Sequence, residues 1–96
     1  MVPYSQMVLL EKQAEFRCLP PPAMPPAQVT WLRNGAPLRT PEPGLRVSGD
    51  GHVLLVLSAR LADAANYTCA AENIAGKRVS DPATLTVYGK NNDDNL

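Results

Sequence analysis

An all-β fold of two antiparallel sheets packed face to face is predicted by three features of this 96-residue sequence. Cys18 and Cys69 bracket Trp31, which follows the first cysteine by 13 residues, and Tyr67 stands two before the second. Short stretches alternate apolar and polar residues at the period of two that a half-buried strand requires. Helical periodicity is absent, and the 10 prolines would break it in any case.

The elements follow in order. Residues 1–5 read as a lead-in, and Val8 and Leu10 belong to the first strand of a domain spanning 6–89. Ala14, Phe16 and Cys18 share one face, with Glu15 and Arg17 opposite. Pro20-Pro21-Pro22, with Pro25 and Pro26, makes a stiff connection that has no backbone N–H groups to give a sheet. Val29 and Trp31 point inward on the next strand, with Thr30 and Arg33 among the polar neighbours. Gly49-Asp50-Gly51, between Val47 and Val53, offers the positive φ angles of a tight hairpin. The run Val53 to Leu57 is continuously apolar. Counting back from Cys69 assigns Leu54 and Val56 to the core and Leu61 to the corner beneath Tyr67. Leu55 and Leu57 are then left outward as a candidate apolar contact patch. Tyr67, Cys69 and Ala71 face in against Thr68, Ala70 and Glu72. Gly76 is placed for the left-handed residue of the next hairpin. Ala83, Leu85 and Val87 face in against Thr84, Thr86 and Tyr88. Residues 90–96 are polar and aperiodic, a linker or disordered tail.

The cysteine–tryptophan–tyrosine constellation resembles the signature of an immunoglobulin-like β-sandwich. In that fold the cysteines join strands B and F across the two sheets. The indole packs on the bridge, and the tyrosine hydroxyl bonds back to the backbone at the E–F corner. Two cysteines alone would equally suit a free pair in a cytosolic protein; the Trp31 and Tyr67 spacing favours one disulfide. Trp31 and Cys69 enclose 37 residues, too few for the extra C′C″ hairpin of a variable domain. A shorter, intermediate (I-set) sandwich is therefore expected. At the corner, Asp63 reads as structural, with Arg46 as its ionic partner.

Two stretches go further. Cys18-Leu19-Pro20-Pro21-Pro22 leading to Trp31-Leu32-Arg33-Asn34 is one. Ala59-Arg60-Leu61-Ala62-Asp63 leading to Ala65-Asn66-Tyr67-Thr68-Cys69 is the other. Together they are similar to the second immunoglobulin domain of the uncoordinated-family netrin receptors. The stretch from Gly35 to Gly49 departs from that pattern in being Pro- and Gly-rich, and Gly76 stands where those receptors are bulkier. The resemblance implies a single-pass plasma-membrane parent. Immunoglobulin and thrombospondin neighbours would lie outside and a death domain inside, and the ectodomain would bind netrin or another guidance or adhesion protein.

Nine basic and nine acidic residues cancel, so the whole-chain field does not attract nucleic acid or anionic membrane. No apolar run approaches the roughly 20 residues that span a bilayer. Met1-Val2-Pro3-Tyr4 lacks the basic start and apolar stretch of a secretory leader, so an extracellular domain would be an excerpt of a longer protein. No enzyme, cofactor, metal or small-molecule site is expected. His52 is the only histidine, and Ser48, Ser58, Asp50 and Asp63 form no nucleophile–base set. Asn66-Tyr67-Thr68 is an N-glycosylation sequon whose asparagine alternates outward. For protein binding, the candidates are Arg33, Glu72, Ile74, Lys77 and Arg78 along the C-F-G edge, with Leu55 and Leu57 on the other sheet. Lys77, Arg78 and Arg39 could add a weak glycosaminoglycan contact. The competing reading is a spacer repeat of an intracellular muscle or cytoskeletal array, its cysteines reduced.

Overall fold

The computed structural model describes residues 3–39 and 42–89, and all strands named below lie there. The larger sheet contains β1 (Gln6–Leu9), β9 (Ala83–Tyr88), β7 (Ala65–Asn73), β3 (Gln28–Arg33) and β4 (Ala36–Pro37), in that order across it. β8 (Gly76–Val79) pairs the end of β7 that β9 leaves uncovered. The smaller sheet runs β2 (Ala14–Arg17), β6 (Val53–Val56), β5 (Leu45–Val47). β1 lies parallel to β9, and the other pairs are antiparallel.

Register explains the core. Trp31 sits directly across from Cys69, and Phe16 across from Leu54, so the alternation within each strand sends Phe16, Leu54, Val56, Trp31, Tyr67 and Leu85 into one buried layer. Cys18 extends β2 by donating its N–H to the His52 carbonyl, 2.7 Å away. From there its sulfur bonds Cys69 across the two sheets, with the Cα atoms 6.4 Å apart. Phe16 fills the space beside the bridge, its ring centroid 5.2 Å from Tyr67 and 6.5 Å from Trp31. The indole N–H is not left unpaired in this apolar layer: Nε1 donates to the Gly51 carbonyl at 2.8 Å.

Several expectations are corrected. Leu61 is 61% exposed rather than tucked beneath Tyr67. Residues Leu61–Asp63 form a 3₁₀ turn, and that rotation buries Ala59 and Asp63 instead. Ala70, expected outward on β7, is buried, because a small side chain on an inner strand is covered by its flanking neighbours Thr30 and Val79. Of the glycines at the β5–β6 turn only Gly51 is left-handed, at φ 82°. Gly76 is not left-handed, since the Asn73 side chain closes that turn instead. The smaller sheet has three strands among the described residues, and the first strand, β1, lies on the larger sheet beside β9. The last strand is also split, β8 and β9 being separated by Ser80-Asp81-Pro82. The tail assigned to 90–96 lies outside the described residues.

Candidate functional site

The β7–β8 hairpin and the proline-rich loop meet at one end of the larger sheet. Asn73 ties them together: its Oδ1 accepts from the N–H groups of Ala75 (2.9 Å) and Gly76 (3.2 Å), and its Nδ2 donates to the Pro25 carbonyl (2.9 Å). Satisfying three backbone groups with one side chain fixes the hairpin against the loop. A cavity of about 330 Å³ lies between them, lined by Pro21, Pro22, Ala27, Ala71, Lys77 and Arg78 among others. Ile74 caps the hairpin at 92% exposure. Lys77 stands across from Glu72 and Arg78 across from Ala71, so the two cations point to opposite faces of the sheet.

Arg33 does not join this group. It sits across from Tyr67, at the other end of β3, whereas Glu72 is across from Gln28. There its guanidinium pairs with Glu42 at 2.6 Å, both side chains being partly buried. The Glu42 hydrogen bond holds Arg33 above its ordinary range, against an opposing effect of burial. Arg39 is exposed just past β4, on the sheet edge opposite β8, so it does not converge with Lys77 and Arg78. Leu55 and Leu57 do not merge into an apolar patch. Leu55 is half-buried and flanked across the sheet by Glu15 and Arg46, while Leu57 lies beyond the end of β6 at 39% exposure.

The corner at Asp63 differs from expectation in its partner. Arg46 is exposed, and among the described residues it makes no ion pair with Asp63. The carboxylate accepts from the Arg60 backbone N–H at 2.9 Å and from the Arg60 guanidinium at 3.4 Å. A residue three positions away in a tight turn reaches the carboxylate at little entropic cost, and the stronger contact is the backbone one. Tyr67 Oη donates to the Asp63 carbonyl at 2.7 Å, closing the same corner. Asp63→Ala should therefore lower stability by about 2 kcal/mol, by leaving a backbone donor without its partner. Arg46→Ala should change it by less than about 0.5 kcal/mol. A double-mutant cycle by denaturant unfolding that coupled Arg46 to Asp63 would contradict this geometry.

Burial pushes the Tyr67 phenol above its ordinary value of 10.0, the Asp63 charge adds to this, and Arg33 opposes it. The folded value exceeds the unfolded one, so the stability carried by the neutral phenol is fully present below the unfolded value. It is lost as pH rises through the folded value. Tyr67→Phe should flatten the alkaline limb of melting temperature against pH; an unaltered limb would count against the assignment.

Ser48, Asp50 and His52 lie close together, but as a turn lock. Asp50 accepts from the Ser48 hydroxyl at 2.6 Å and the His52 N–H at 2.9 Å, with His52 Nδ1 3.4 Å from its second oxygen. These contacts, led by the Ser48 hydroxyl, hold the Asp50 carboxyl below its usual range. Ser48 Oγ also accepts from the Val53 N–H at 3.1 Å, so its hydroxyl is engaged in closing the turn rather than held by an imidazole base. Among the described residues no three His, Cys, Asp or Glu side chains gather as a metal cluster.

At the sequon, Asn66 is exposed and shares a sheet face with Thr68. Its Oδ1 accepts from Thr84 Oγ1 at 2.8 Å. The Asn66 N–H donates to Asn34 Oδ1 at 3.0 Å, and the Asn34 N–H returns to the Asn66 carbonyl at 2.7 Å.

Residues 1–73 match the family described as immunoglobulin domain. The chain belongs to that family. As an immunoglobulin domain it is 45% identical over 87 residues to the netrin receptor unc-5 of Drosophila melanogaster, and 38% identical over 86 residues to the netrin receptor UNC5D of Rattus norvegicus. Each alignment takes in 90% of this chain but only 8% and 9% of the receptors, so the domain spans less than a tenth of their length. Among solved structures, the titin M10–obscurin-like 1 immunoglobulin complex aligns at 33% identity and a TM-score of 0.80, over 92% of this chain and 89% of that one. The N-terminal Ig1-2 module of the Drosophila receptor protein tyrosine phosphatase DLAR aligns at 29% identity and 0.79, over 93% and 47%.

Proposed function

We propose that this immunoglobulin domain is an extracellular module of a single-pass cell-surface receptor. The hairpin end of its larger sheet meets a protein ligand, netrin or another guidance or adhesion protein. The observation that carries the reading is the 45% identity to a netrin receptor across nearly the whole domain. The hairpin supports the choice of surface. Ile74, Lys77 and Arg78 are exposed there on a backbone that Asn73 holds rigid, so little ordering is needed on contact. A glycan on Asn66 is compatible with it. Asn66 and Glu72 lie six positions apart on β7, roughly 20 Å along the strand, which leaves the hairpin clear. Immunoglobulin and thrombospondin neighbours would complete the ectodomain.

The test is netrin binding to the full ectodomain by surface plasmon resonance. Lys77→Glu with Arg78→Glu should weaken affinity about tenfold or more, while Leu55→Asp with Leu57→Asp should leave it within about threefold. Equal affinity for both variants would remove the hairpin from the ligand site. Mass spectrometry of protein from a secretory host should find a glycan at Asn66.

A second reading, a spacer repeat of an intracellular array, has the 33% identity to the titin–obscurin-like immunoglobulin complex in its favour. Thiol titration of protein from its native source separates the two. Two reactive thiols would favour the spacer.

A further inference from the structure

We propose that the free edge of β8 accepts an extended, acidic segment of a partner protein as an added strand. This deepens the recognition reading above and rests on it, since it uses the same hairpin.

The geometry begins with the split in the last strand. β1 covers β9, but among the described residues nothing pairs the outer side of β8. All four β8 residues are exposed. The boundary lies at Ser80, whose N–H donates to the Cys69 carbonyl at 2.9 Å and whose Oγ accepts the Cys69 N–H at 3.0 Å. That hydroxyl takes the place of a main-chain carbonyl in the ladder, and the chain then steps aside through Asp81 and Pro82 before resuming as β9.

Register decides which groups face outward. Antiparallel ladders alternate, and the Ser80 bond to Cys69 together with the Asn73–Gly76 closing pair fixes the phase. Gly76 and Arg78 turn their backbone groups toward β7, as does the Ser80 N–H. Lys77 and Val79 turn their N–H and C=O groups away from it, toward open solvent. Two donors and two acceptors thus stand in a row, spaced to pair with an extended peptide.

Charge selects the occupant. If a second copy docked edge to edge about a two-fold axis in the register that engages both outward-facing residues, Arg78 would face Arg78 of that copy, and like charges directly opposed are destabilising. A basic or neutral strand would gain nothing from Lys77 and Arg78. Carboxylates at two adjacent positions would meet Lys77 on one face and Arg78 on the other. The Arg78 face also opens on the cavity beside Pro21 and Pro22, which has room for a side chain of the incoming strand.

The probe is a soluble heptapeptide of valines and threonines with two adjacent glutamates at its centre, one for each face, set against its counterpart with two lysines there. Amide exchange followed by NMR on this chain should show the Lys77 and Val79 N–H groups slowed about tenfold or more by the acidic peptide and not by the basic one. Val79→Pro removes one outward donor and leaves the β7 ladder intact, a substitution that edge strands tolerate. It should weaken the acidic peptide by about tenfold, while Val79→Ala, which keeps the donor, should stay within about twofold. An acidic peptide N-methylated at the amides facing β8 makes the same test without altering the protein, and should also lose binding. Binding with both amides exchanging freely, equal affinity for the proline and alanine variants, equal affinity for the two peptides, or no binding would each overturn strand addition. If the charge reversals still weaken netrin, the hairpin keeps its recognition role; if they do not, that reading falls separately.

Discussion

Alanine at both Cys18 and Cys69 is expected to lower stability by about 4 kcal/mol. The two residues are 51 apart in sequence, so the bond closes a long loop in the unfolded chain and removes much of its freedom. In the folded chain it is also the covalent tie between the sheets, buried in the same core as Phe16 and Trp31. In a domain of this size, each kcal/mol moves the melting temperature by roughly 4–8 °C, so a fall of about 20 °C or more should be seen. Circular dichroism with and without reductant gives the same comparison on the unaltered protein. A shift below about 5 °C would mean that the layers hold without the bridge.

The second large effect is expected at Gly51. Its φ of +82° is strained for any side chain, and an added Cβ would lie 2.7 Å from the Val29 carbonyl oxygen. Relief requires moving either the β5–β6 turn or β3. The first of these would pull the Gly51 carbonyl from the Trp31 indole and leave a buried donor unpaired. Gly51→Ala should therefore lose roughly 3 kcal/mol, enough to broaden or abolish cooperative melting in a marginal domain. Gly49, two residues away, is the internal control. Nothing lies within 4 Å of its Cβ position and its φ is not left-handed, so Gly49→Ala should be neutral or slightly stabilising. Similar losses at both positions would show that the close approach to Val29 is not what makes Gly51 necessary.

These two effects differ in how far the sequence announces them. The bridge was legible because the cysteines, Trp31 and Tyr67 are each read against a fixed spacing, and strand alternation then placed Phe16, Leu54, Val56 and Leu85 in the core. The close approach at Gly51 depends on where β3 passes, which no local pattern carries. The same limit explains Leu61 and Asp63. Alternation stops short of this segment, where a 3₁₀ turn changes the period from two to three. Arg60, and not Arg46, partners Asp63 for the same reason, since only the turn brings position 60 back onto the carboxylate. One missed element did carry a signal: Asn34-Gly35 is a strong hairpin dipeptide, and both residues are left-handed, at φ 51° and 84°. At the candidate site, Ile74, Lys77 and Arg78 could be assigned to a hairpin from sequence, and Arg33 could not be separated from them. Its place at the far end of β3 follows from cross-strand register, and its partner Glu42 comes from a loop without periodicity.

The parallel pairing of β1 with β9 has a mechanical consequence. Gln6 lies beside Leu85 and Leu9 beside Tyr88, so the polypeptide runs into the sandwich from one pole and out at the other. A pull along that line would load the hydrogen bonds between the first and last strands together, in shear, rather than peeling them one by one. Beyond them the sulfur bridge caps how far the chain between Cys18 and Cys69 could stretch, so this small body suits transmission of tension between whatever is joined to its two poles.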